Sequence, residues 1–145
     1  MEIYTIGFTK RTAAEFFGAL KRAGIKRLLD VRLNNVSQLA GFTKRDDLPF
    51  FLKEICGAEY VHQPLLAPTQ GMLDEYKKKK GSWEDYEKRF LHLMEERKIE
   101  DRIDRNQFVT PTALLCSETT ADHCHRRLVL DYLKAKWCDL KVAHL

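Results

Sequence analysis

Five short apolar runs recur along this chain, and most of the stretches between them carry their apolar residues at helical spacing. Ile3 to Ile6 is the first run and stops at Gly7; Ile25 to Val31 is the second and Ala58 to His62 the third. Thr112 to Cys116 and Leu140 to Leu145 complete the set. After the first run, Ala13, Phe16, Phe17 and Leu20 fall on one face of a helix that Gly24 ends, and Thr12 with Glu15 forms a capping box at its start. Asp46 or Asp47 opens a second helix running to about Ile55, with Pro49 in its first turns and Cys56 and Gly57 at its close. Met72 to Lys80 reads as a polar helix broken at Gly81 and Ser82. Trp83 to Lys98 reads as a helix burying Tyr86, Phe90, Leu93 and Met94, and Asp122 to Lys136 as the last long helix. Leu33 to Lys44 and the segment through Pro64, Pro68 and Gly71 read as irregular. Strands separated by helices cannot pair through tight hairpins, so they pair in parallel and the helices cross over the sheet. The expected fold is α/β: a compact three-layer domain with a mostly parallel sheet of about five strands and helices on both faces, spanning residues 1–145 as one domain.

A chain of 145 residues, 44% apolar and 32% charged, buries an ordinary core without disulfide staples. Met1 to Ile6 lacks the basic start and long apolar core of a signal peptide, so none is expected, and no run comes near the ~18 apolar residues of a membrane span. The expectation is a cytoplasmic protein without a membrane partner, in which Cys56, Cys116, Cys124 and Cys138 are reduced. Those cysteines stand 60, 8 and 14 positions apart, which matches no zinc-knuckle pattern. The net charge of +4 admits an anionic partner, but a solvated Lys-rich surface is the favoured account of it, as a solvated helix end is of Lys77 to Lys80.

A parallel sheet gathers its strand C-termini at one edge, and ligands bind open α/β sheets there. That edge collects Gly7 to Lys10, Asp30 to Arg32, His62 and Cys116 to Glu118, and the last helix adds His123 to Arg126. Cys116 reads as a nucleophile whose thiolate is favoured by helix-terminal amides and an arginine. Glu118 reads as an acid/base group or a partner of Arg126, and His125 as a base or proton shuttle. Arg126 and the helix amides suit a phosphate or carboxylate. Gly7, Asp30, Arg32 and Cys124 fall on the substrate-binding side, while Asp122 suits a helix N-cap.

Taken singly, Asp30 with Arg32 reads as a structural ion pair and Cys116 as a small hydrophobe; their joint placement favours a site. Cys116, His123, Cys124 and His125 also offer metal ligands. That reading is second, because adjacent residues on a helix point to different faces; no metal is assigned, and no cofactor is specified. Lys10, Arg11, Lys44 and Arg45, interleaved with Phe8 and Phe42, form a weaker nucleic-acid pattern, with rings capping the core as the competing reading.

Several of these segments occur in a recognisable order: Thr5 to Phe8, Asp30 to Arg32, Glu59 to His62 with Pro64, Leu114 to Glu118, His123 to Arg126, and His144 with Leu145. Together they resemble the domain of unknown function family numbered 488, whose members begin with a Thr-Ile-Gly-His-Ser-like motif. Phe8 and Thr9 stand where the family often has His and Ser. The resemblance implies a compact α/β fold with a shared pocket and no particular reaction. Leu29 to Arg32 and a cysteine ending the fourth strand also resemble the rhodanese sulfurtransferase domain and cysteine-dependent phosphatases. Arg126, however, follows Cys116 at a longer interval than their anion loops use, so that analogy stays at fold level. The leading expectation is an enzyme, a Cys-dependent transferase or hydrolase acting on an anionic small molecule. The alternatives are a nucleic-acid or nucleotide binding module without turnover, and a purely structural network.

Overall fold

Thr112–Cys116 (β4) is the buried centre of the sheet. On one side of it lies Arg27–Asp30 (β2) and then Glu59–His62 (β3); on the other lies Glu2–Gly7 (β1) and then Lys141–His144 (β5). The order is β3-β2-β4-β1-β5, and every neighbouring pair is parallel. The computed structural model describes residues 1–36, 38–117 and 124–145, with 38 and 39 described in backbone only.

Because successive strand residues face opposite sides, the apolar runs divide between two cores. Ala113 and Leu115 join Ile6 and Leu28 under Ala13–Arg22 (α1) and Leu48–Phe51 (α2). Leu114 and Cys116 join Ile3, Leu29 and Val31 on the other face. There they meet Trp83–Arg97 (α4), Ile99–Arg102 (α5) and His125–Trp137 (α6), with Gln70–Lys77 (α3) packed on α4. Continuous apolar strands with both faces covered are what an all-parallel sheet requires. Cys116 therefore belongs to the face covered by α4 and α6.

The element boundaries follow local chemistry. The Thr12–Glu15 capping box closes both ways, at 3.1 Å each. The helix expected to reach Ile55 begins as α2 and continues as a wider turn over Leu52–Cys56, ended by Gly57 at φ 60°. The α3 helix starts two residues before the expected Met72, because the Thr69 hydroxyl accepts the Met72 amide at 3.2 Å. Lys98 adopts a left-handed conformation at φ 50° and separates α4 from the unanticipated short α5. Most consequential is α6, which begins at His125 rather than Asp122, with Cys124 as its extended N-cap residue. Among the described residues, no helix is long and apolar enough to cross a membrane.

Candidate active site

Register alone assembles the strand-end cluster. Gly7 lies opposite Cys116, and Asp30 lies opposite both Leu115 and His62. Beyond the strands, the Thr9 amide donates to the Ser117 carbonyl at 3.0 Å and the Val31 amide to the Leu115 carbonyl at 3.1 Å. The segments leaving β1, β2 and β4 are thus tied together before any side chain is considered.

At the end of β4, Cys116 is 5% exposed and its Sγ lies 3.4 Å from His125 Nδ1. The other ring nitrogen, Nε2, lies 2.6 Å from the Val31 carbonyl oxygen. A carbonyl only accepts, so Nε2 carries the proton and Nδ1 presents its lone pair to the thiol. The Phe90 ring packs 5.5 Å from the imidazole and helps hold its plane.

Cys124 sits beside this pair. One ligand atom from each of Cys116, Cys124 and His125 lies within 4.8 Å of the others, and all three residues are buried. The expectation that neighbouring Cys124 and His125 diverge presumed that both were helical. Cys124 has φ −137° and ψ 139°, which is strand-like, so its side chain escapes the helical phase. A hydrogen bond with Cys116, reinforced by burial, pushes the Cys124 thiol well above its ordinary range. Burial, with a contribution from both cysteines, raises the Tyr86 phenol.

Asp30 and Arg32 form a second, denser network. Arg32 Nε donates to Asp30 Oδ1 and Nη2 to Oδ2, both at 2.9 Å. Nη1 donates to Thr43 Oγ1 at 3.1 Å and Nη2 to the Thr43 carbonyl at 2.7 Å. The Phe8 ring lies 5.4 Å from the guanidinium, so the residue that departs from the family motif supports Arg32. Asp30 also accepts from the Arg32 amide, Asn35 Nδ2 and the Tyr60 hydroxyl. Burial alone would raise the Asp30 carboxyl; the Arg32 fork, the Tyr60 hydroxyl and the Arg32 amide outweigh it and hold it below its usual range. Burial and the same hydrogen bond push the Tyr60 phenol up. His62 Nε2 lies 3.0 Å from the Arg32 carbonyl, to which it donates.

Between these networks and α3–α4 lies a cavity of about 150 Å³. Cys116, Cys124 and His125 line it together with Ser117 and Arg32, and Tyr76, Trp83 and Tyr86 form an aromatic wall. Lys77 adds a second cation. Gly7, Asp30 and Arg126 do not line it. Arg126, 1% exposed, is buried in the first turn of α6. Glu118, Asp122 and His123 lie outside the described residues. Of the rings proposed for nucleic acid, Phe42 packs 5.4 and 5.7 Å from Phe16 and Phe17, while Phe8 contacts Arg32.

Sequence reasoning did not reach the roles of Tyr60, Asn35 and Thr43, which arise where β3 and the connection after β2 meet Asp30 and Arg32. Nor did it reach the Val31 carbonyl, since main-chain acceptors leave no mark in composition. Trp83 and Tyr86, three apart at the start of α4, were a legible pair of rings on one helical face.

Fold and site together define an α/β domain with an all-parallel sheet and a cysteine–histidine pair at its C-terminal edge. The chain belongs to the family described as Domain of unknown function DUF488, which matches residues 12–133. No curated protein and no solved structure matches the chain.

Proposed function

We propose that this protein is an enzyme in which Cys116 is the nucleophile and His125 its base, acting on a small anionic substrate in the strand-edge cavity. The observation that carries this reading is the tautomer: with Nε2–H fixed on the Val31 carbonyl, Nδ1 is the only ring nitrogen able to take the thiol proton, and it faces Sγ at 3.4 Å. In the first step the S–H proton passes to Nδ1, and a sulfur electron pair attacks an electrophilic centre, forming one bond as the bond to the leaving group breaks. The imidazolium returns its proton to the leaving group. Water or an acceptor then takes the group from sulfur and regenerates the thiol, as in a transferase or hydrolase.

Arg32 and the N-terminus of α6 would hold the negative group, with Asp30 fixing Arg32 and Gly7 keeping the β1 end close to Cys116. Cys124 would border the substrate, Arg126 would reinforce the positive end of α6 from within, and Glu118 would supply a further acid/base group. The test is alkylation by iodoacetamide in EDTA at neutral pH, read by peptide mass spectrometry. Cys116 is expected to react at least ~10-fold faster than free cysteine, with the advantage lost in His125→Gln. A Cys116 rate no higher than that of free cysteine overturns the assignment.

A further inference from the structure

The three groups at the cavity floor have a second chemistry that covalent catalysis does not use. We propose that Cys116, Cys124 and His125 form a three-ligand site for a thiophilic d10 cation of the Zn2+ type, with the fourth coordination position opening into the cavity. The geometry is close to what such an ion imposes. Zinc bonds of about 2.3 Å to sulfur and 2.0 Å to nitrogen, at tetrahedral angles, place sulfur and nitrogen about 3.5 Å apart and two sulfurs about 3.8 Å apart. Cys116 Sγ and His125 Nδ1 are 3.4 Å apart, and no two of the three ligand atoms are separated by more than 4.8 Å. The three atoms are therefore already gathered to within roughly 1 Å of the separations such an ion sets.

Three further features point the same way. His125 Nε2 donates to the Val31 carbonyl, the outer hydrogen bond that orients a histidine ligand and leaves Nδ1 as the donor to the ion. Two thiolates and a neutral imidazole balance a divalent charge, so the loaded centre is neutral in a buried place where a lone charge is costly. Finally, the set is sulfur and nitrogen without a carboxylate, which suits zinc-like ions and disfavours Mg2+ and Ca2+. All three residues line the cavity, which provides the entry path and room for a fourth ligand. This inference does not rest on the catalytic proposal. A bound ion would engage Cys116 as a ligand and withdraw it from any substrate, so metal and covalent chemistry exclude one another at that sulfur.

The experiment uses the full chain, stripped with EDTA and exchanged into chelator-free buffer. Zn2+ is titrated in competition with a chromophoric chelator, with Mg2+ as a control, and Co2+ is added separately to read thiolate-to-metal charge transfer in the near ultraviolet. Expected are one Zn2+ per chain, no Mg2+ uptake, a charge-transfer band, and an affinity at least ~10-fold weaker in Cys124→Ser and in His125→Gln. Cys138→Ser, at an exposed cysteine, should bind as the parent does. No Zn2+ retained against the chelator, no Co2+ charge-transfer band in the unmutated protein, equal binding by the Cys124 and His125 variants, or a loss confined to Cys138→Ser would each overturn the site. The unmutated protein's spectrum decides the matter even if a variant fails to fold. Alkylation in EDTA tests the nucleophile separately, so either proposal can fail while the other stands.

Discussion

Replacing Arg32 by Met isolates the physics of the strand-edge network. Asp30 is fully buried and accepts five hydrogen bonds, three of them from Arg32. The substitution removes the two guanidinium bonds and the countercharge, leaving the carboxylate with the Arg32 amide position, Asn35 and Tyr60. Breaking a buried pair from one side costs about 3–5 kcal/mol, because the remaining charge is uncompensated. With an unfolding entropy of about 2.1 cal/mol/K per residue, a chain this long loses roughly 3 °C per kcal/mol, so Tm should fall by about 10–15 °C at pH 7.

The pH dependence gives the sign. In the parent protein the folded Asp30 titrates below its unfolded value of about 3.9, so its stabilisation is complete above that value and is lost as pH falls through the folded one. In Arg32→Met, burial dominates and raises the folded value, so the variant gains stability on acidification while the parent does not. The gap in Tm between the two should therefore narrow from pH 7 to pH 5. Asp30→Asn combined with Arg32→Met should recover part of the loss, since no lone charge remains. Thermal unfolding followed by circular dichroism measures all three proteins. A loss under about 3 °C, or a gap unchanged between pH 7 and pH 5, would refute the account of Asp30 as a carboxylate dependent on Arg32.

Thr12→Ala removes the hydroxyl that caps α1 and should cost about 1 kcal/mol, or roughly 3 °C in Tm, with no change in the Cys116 alkylation rate. Leu114→Ala, on the central strand and fully buried, should cost about 2–5 kcal/mol in urea unfolding; a cost under about 1 kcal/mol would mean β4 is not packed on the face covered by α4 and α6.

The sheet was legible because parallel strands covered on both faces read as uninterrupted apolar runs, and Thr112 to Cys116 is one. The placement of Gly7, Asp30, His62 and Cys116 at one edge followed directly, since parallel pairing leaves no other arrangement of strand ends. Tyr60, Asn35 and Thr43 were not legible. Asn35 and Thr43 reach Asp30 and Arg32 because the single irregular connection after β2 folds back on the strand end, and Tyr60 reaches Asp30 from the neighbouring β3; no periodicity encodes either approach. The short α5 escaped for a related reason: it exists because Lys98, not a glycine, takes the left-handed conformation between two helical turns.

The most telling difference is three residues at the start of the last helix. A helix beginning at Asp122 would set Cys124 and His125 about 100° apart around its axis, aiming them at different surroundings. With the helix beginning at His125, Cys124 is extended and free of the helical phase, and its sulfur lies beside Cys116 at the β4 end. The same boundary leaves His125 in the first turn, where its ring reaches back to the Val31 carbonyl on the neighbouring segment. A helix boundary thus decides whether these residues are a packed surface or a chemical centre. Capping propensity, which favours Asp122 over Cys124, pointed to the wrong boundary because the alternative N-cap makes no side-chain bond to its own helix. The Cys124 thiol bonds instead to Cys116, so a side chain that could have capped α6 is committed to the site.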